Sequence, residues 1–170
     1  MLLRNAAARA VAPVVMFLTL LLAFSTLLPP IADASFPFTP HEEITTGSLC
    51  TTSDQDFREF RYKERIPYCK RSVSSSEKRK IYESYGVAVH CRKEYTIDHF
   101  IPLSLGGTNH ANNLWPEHKS VKSLRKNLEF ELFQKLEAGR ITQQEAVEAI
   151  IEAKFNPPVR NPASHRFCIQ

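Results

Sequence analysis

Tyr95 to His118 reads Y-T-I-D-H-F-I-P-L-S-L-G-G-T-N-H-A-N-N-L-W-P-E-H. The run Glu94 to Ile101 is rich in Tyr, Ile and Phe and predicts a strand. Pro102 ends it, because proline has no N–H to give to a ladder. Leu105 to Asn109 holds two adjacent glycines and reads as a compact loop. Asn113-Leu114-Trp115 returns as a short strand that Pro116 is expected to break. A helical pattern starts at about His118. Strand, glycine-bearing loop, strand and helix follow in that order, and the rest of the chain reads as support for them.

Asp98 and His99 give this stretch its chemistry. A neutral histidine can take a proton from water near neutral pH. A carboxylate beside it can hold a hard divalent cation, which offsets charge on a phosphate and on a departing oxygen. Neighbouring residues of a regular strand point to opposite faces. Both groups serve one site only if the backbone leaves strand geometry near 98–99. The duller readings are a structural histidine at His99 and turn-capping roles for Asp98 and Asn113.

Asp98-His99-Phe100-Ile101-Pro102-Leu103, Gly106-Gly107-Thr108-Asn109 and Asn113-Leu114-Trp115-Pro116 together resemble the HNH (ββα-metal) endonuclease family, in its exported or phage-associated branch. The resemblance runs from Tyr95 through Glu129 and more loosely to the last helix. It implies that His99 activates water, that Asp98 binds a divalent metal (Mg²⁺ or Mn²⁺), and that Asn113 orients the loop or the base. The family's next ligand, nine residues after the central Asn, falls on Lys122. His118 is therefore either the ligand of a rearranged site or a helix-start residue facing water. Asn127 and Glu129 are further oxygen donors. The family's zinc-binding cysteine pairs are absent.

Outward from this stretch, Ser74 and Glu77 form a capping box for a helix to Tyr85 that Gly86 stops. Asp56 to Tyr62 reads as a short helix, since Phe57 and Phe60 share a helical face, and Val87 to His90 as β-prone. Val121, Leu124, Leu128, Leu132 and Leu136 predict one helix from His118 to Ala138. Thr142 and Glu145 cap a last helix that turns Val147, Ile150 and Ile151 inward. Lys119, Lys122, Arg125 and Lys126 cluster where cations oppose the helix dipole, which makes sense if they meet phosphates. The duller account is a solvated face with pairs such as Arg125–Glu129. Trp115 reads as core. His41, His90, His110 and His165 read as surface or structural.

Residues 1–34 have the layout of a secretory signal: Arg4 and Arg9, an apolar run from Val11 to Leu28, then Ala32-Asp33-Ala34. An uncleaved anchor is the alternative. Cleavage would leave 136 of the 170 residues and, by removing Arg4, Arg9 and Asp33, lower the formal charge from +4 to +3. That charge permits nucleic-acid binding without requiring it. Cys50, Cys69, Cys91 and Cys168 suggest disulfides in an exported chain. Of three pairings, Cys69–Cys91 with Cys50–Cys168 is the expected one.

The expected organisation is a signal peptide (1–34), a linker and irregular segment (35–72), a disulfide-stapled α+β nuclease domain built on an antiparallel ββα-metal unit (73–155), and a tail (156–170). The expected function is a divalent-metal-dependent endonuclease acting on DNA, or RNA, with little sequence preference, in the periplasm or outside the cell. No partner protein or stable membrane association after cleavage is inferred. The alternative is a non-catalytic nucleic-acid-binding or envelope module on an HNH-like scaffold.

Overall fold

The fold is mixed α+β, with two small antiparallel ribbons and four α-helices among residues 38–158, the part of the chain that the computed structural model describes. The expected signal segment 1–34, His165 and Cys168 lie outside the described residues.

Strand β1 (Phe57–Arg61) pairs with β2 (Ile66–Cys69). The expected helix over Asp56–Tyr62 is thus a strand. A bulge between Phe57 and Glu59 explains the misreading. One extra residue shifts the alternation, so Phe57 and Phe60, three apart, share a face with ring centroids 5.4 Å apart. The glycine loop is held by the ribbon and by the segment before it: Tyr62 Oη–H, next to β1, donates to the Ser104 carbonyl (2.7 Å), and Cys50 N–H to the Gly106 carbonyl (2.8 Å). Cys50 and Cys69 are disulfide-bonded. This corrects the expected pairing of Cys69 with Cys91 and of Cys50 with Cys168. Cys91 is also disulfide-bonded.

Helix α1 (Ser75–Ser84) carries the expected capping box of Ser74 and Glu77, and Gly86 follows it at φ 64°. Val87–His90 is not a strand; a 3-10 turn over Val89–Glu94 leads into β3 (Tyr95–His99). Strand β4 (Leu114–His118) pairs with β3 from Tyr95↔His118 to His99↔Leu114. Pro116 lies inside β4, opposite Ile97, rather than ending it. A two-stranded ribbon leaves one side of each strand unbonded, and a proline fits there.

The single helix expected from His118 to Ala138 is two: α2 (Lys119–Leu124) and α3 (Leu128–Glu137). The break lies where the Arg125 guanidinium turns back to Glu117 and to the Ala153 carbonyl. Helix α4 (Gln143–Phe155) has the expected Thr142–Glu145 capping box. Trp115, Leu105, Leu114, Leu132, Leu136 and Ile150 form the centre of one core with Ile81, Tyr85 and Phe100. No helix among the described residues is long and apolar enough to cross a membrane.

Candidate functional site

The loop between β3 and β4 is held by Asn113, which is fully buried. Its Nδ2 donates to the carbonyls of Ile101 (2.9 Å) and Thr108 (2.8 Å), and its Oδ1 accepts from Ile101 N–H (2.9 Å). Gly107 is needed at the same place. A Cβ there would lie 1.9 Å from the Ile101 carbonyl oxygen, so any side chain would displace backbone.

The ribbon is regular through residue 99, and its two faces carry different chemistry. Thr96, Asp98, Trp115 and Glu117 share one face by the pairing register, and Tyr95, Ile97, His99, Leu114, Pro116 and His118 share the other. Asp98 and His99 therefore diverge.

On its face, His99 is buried and its Nε2 lies 3.0 Å from Asn109 Oδ1. Asn109 is itself oriented: its Nδ2 donates to Asp56 Oδ2 and to the Lys70 carbonyl (2.8 Å). An oxygen facing Nε2 requires that Nε2 carry the proton. The neutral ring thus keeps its lone pair on Nδ1, which has no hydrogen-bond partner among the described residues. Burial pushes the His99 pKa below the usual histidine value, the hydrogen bond that Nε2–H donates to Asn109 partly opposes this, and the charge of exposed Arg71 lowers it further. In Asp56–Asn109–His99 an imidazole is oriented by a second group, which is anchored by a third.

On the opposite face, Asp98 is buried and occupied. Its Oδ1 accepts from Lys122 Nζ at 2.6 Å and its Oδ2 from Lys154 Nζ at 3.2 Å. Lys154, at 2% exposure, also donates to the His99 carbonyl (2.6 Å) and to Glu129 Oε1 (3.0 Å). All three of its N–H donors are used. Burial alone would raise the Asp98 pKa, but Lys154 and Lys122 outweigh it and hold the carboxyl well below the usual range. Glu117 lies in the same cluster, with Arg125 Nη2 at 2.5 Å and Lys122 Nζ at 3.4 Å. Burial, then the charge of Asp98, push its pKa up to about 7.

The divalent ion implied by the HNH resemblance does not fit at Asp98. Both carboxylate oxygens already accept from ammonium groups. An ion touching Oδ2 would sit within about 4 Å of Lys154 Nζ, a repulsion on the order of 8 kcal/mol at an effective dielectric near 20. His118 is no ligand beside Asp98 either. It lies on the other face of the ribbon, ring to ring with Tyr95 at 5.2 Å, and its Nδ1 accepts from Ser120 N–H at 3.3 Å as the N-cap of α2. Among the described residues one group could hold a metal ion: the Cys50 and Cys69 sulfurs and a carboxylate oxygen of Asp54, within 4.8 Å of one another. The sulfurs are bonded to each other, so neither is a thiolate.

Of the basic cluster expected to meet phosphates, Lys122 and Arg125 turn inward to Asp98 and Glu117, while Lys119 and Lys126 are exposed. The expected Arg125–Glu129 pair is replaced by Arg125–Glu117 and Lys154–Glu129. His110 is exposed and pairs with Asp54 at 2.8 Å. Asn109, Asp56, Glu117 and Lys154 were not singled out from the sequence as site residues. Lys154 had a signal: Val147, Ile150, Ile151 and Lys154 are spaced as one helical stripe, and a lysine on a core stripe needs carboxylates. Asn109 and Asp56, 53 residues apart, had none.

No family model, curated protein or solved structure matches this chain.

Proposed function

We propose that this chain is an exported phosphodiester hydrolase of nucleic acid, an endonuclease with little sequence preference, in which His99 is the general base. The observation that carries the reading is the Asp56–Asn109–His99 chain, which fixes the imidazole as the Nε2–H form and leaves the lone pair on Nδ1. In this reading Nδ1 takes a proton from water as the water attacks phosphorus, the P–O bond to the departing sugar oxygen breaks, and that oxygen takes its proton from solvent. Arg71, an exposed cation whose charge His99 feels, meets the phosphate. Asn113 holds the loop that carries Asn109 and so acts at one remove. The family's divalent ion has no step here, because the Asp98 cluster does not fit it. DNA is the first substrate to test, with RNA in parallel.

The experiment is supercoiled plasmid and a long RNA incubated with the mature protein, with and without chelator, beside His99→Ala. Nicking that disappears in His99→Ala supports the reading. Absence of cleavage under every condition overturns it. A second reading, a non-catalytic nucleic-acid-binding or envelope module, is favoured by the closure of Asp98 between two lysines. Retained, salt-sensitive DNA binding without cleavage would establish the binding form of it.

A further inference from the structure

Lys154 occupies an oxygen cage of the kind that binds a hard cation. Two carboxylates, Asp98 and Glu129, and one backbone carbonyl, His99, converge on its Nζ at 3.2, 3.0 and 2.6 Å. Carboxylate and carbonyl oxygens are the donors that magnesium and calcium prefer. Here the cation arrives on a side chain instead, at the end of the apolar stripe of α4. Lys122 brings a second ammonium to the other oxygen of Asp98 and extends to Glu117. Both lysines, with Arg125 and Lys126, line a cavity of about 70 Å³ that Glu117 and Glu129 also border. Four cations against the two carboxylates around so small a space leave an excess of positive charge, which disfavours a further cation.

We propose that Lys154, seconded by Lys122, is the resident cation of this ββα unit, that the chain binds no divalent ion at Asp98, and that its activity does not depend on one. The lysine ties β3 to α3 and α4 as a structural metal would, and it cannot be removed by chelation. The lysine-cation part of this goes beyond the hydrolase reading and does not require it, whereas the statement about activity rests on that reading.

The test is Mn²⁺ titration followed by electron paramagnetic resonance, on the full mature chain and on Asp98→Asn. Indistinguishable uptake by the two proteins is the expected result. One Mn²⁺ bound by the wild type and lost in Asp98→Asn would overturn the proposal. Lys154→Ala, which empties the cage but keeps its oxygens, is expected to gain Mn²⁺ binding over wild type. Should that variant not fold, the comparison of wild type with Asp98→Asn decides alone. In a parallel plasmid assay, cleavage that survives chelator supports the proposal, and cleavage that needs added metal overturns it. A protein that neither cleaves nor binds Mn²⁺ at Asp98 would defeat the hydrolase reading while upholding the lysine cation.

Discussion

His99 keeps the lone pair of one ring nitrogen free because Asn109 holds the other. That arrangement determines its pH behaviour. The residue is buried, and charging it would place a cation near Arg71, so its pKa lies below the usual value of about 6.5. A base works only when neutral, so the acid limb of kcat/KM is expected below about pH 6.5. A limb centred above that value would show that another group is titrating. Stability follows with its own sign. As pH falls through about 6.5 the unfolded chain takes up the proton before the folded one does, so this group destabilises the fold on acidification. The role of Asn113 was legible at this scale. An asparagine closing a glycine-bearing loop has donors and an acceptor of the right size to bond backbone on both sides. Asn109, four positions earlier, was not, because its importance comes from Asp56 and Lys70, which reach it only through the fold.

At the scale of elements, local chemistry predicted ends better than middles. The capping boxes at Ser74 and Thr142 use side chains within three residues, and both form. The strand at Phe57–Arg61 and the break between α2 and α3 depend on partners outside the helical or strand window itself, the paired strand β2 in one case and Glu117, eight residues back, in the other. Glu117 gives this scale its prediction. Burial and the Asp98 charge raise its folded pKa to about 7, against an ordinary value of 4.5. A raised carboxyl contributes stability that is complete below the unfolded pKa and is lost as pH rises through the folded one. Glu117→Gln keeps the shape and an oxygen for Arg125 but cannot ionise. The stability difference between wild type and Glu117→Gln should therefore move against the wild type by about 1.4 kcal/mol per pH unit between about pH 4.5 and 7. It should be flat on either side. Urea unfolding across that range reads it. A difference independent of pH would mean that Arg125 keeps Glu117 ionised throughout.

At the scale of the molecule, the first ribbon is the outer wall of the histidine site. Residue Asp56 precedes β1 and anchors Asn109, and the Lys70 carbonyl that bonds Asn109 directly follows Cys69. The Cys50–Cys69 disulfide therefore fastens the segment that orients His99, as well as closing a loop across a sequence separation of 19. The mixed α+β class could be read from the sequence, because strand and helix periods are local. The cysteine pairing could not, because four cysteines allow three pairings and spacing does not choose among them. Loop-closure entropy assigns a bridge of this span about 3 kcal/mol. Replacing both residues, Cys50→Ser with Cys69→Ser, is expected to lower the urea-unfolding free energy by about that amount. If the ribbon orients the base, the loss should extend beyond stability. At a temperature where the variant remains folded, the acid limb assigned to His99 should shift or broaden, because Asn109 no longer holds Nε2 in one place. A variant with unchanged unfolding midpoint and unchanged pH profile would show that the ribbon packs beside the site without governing it.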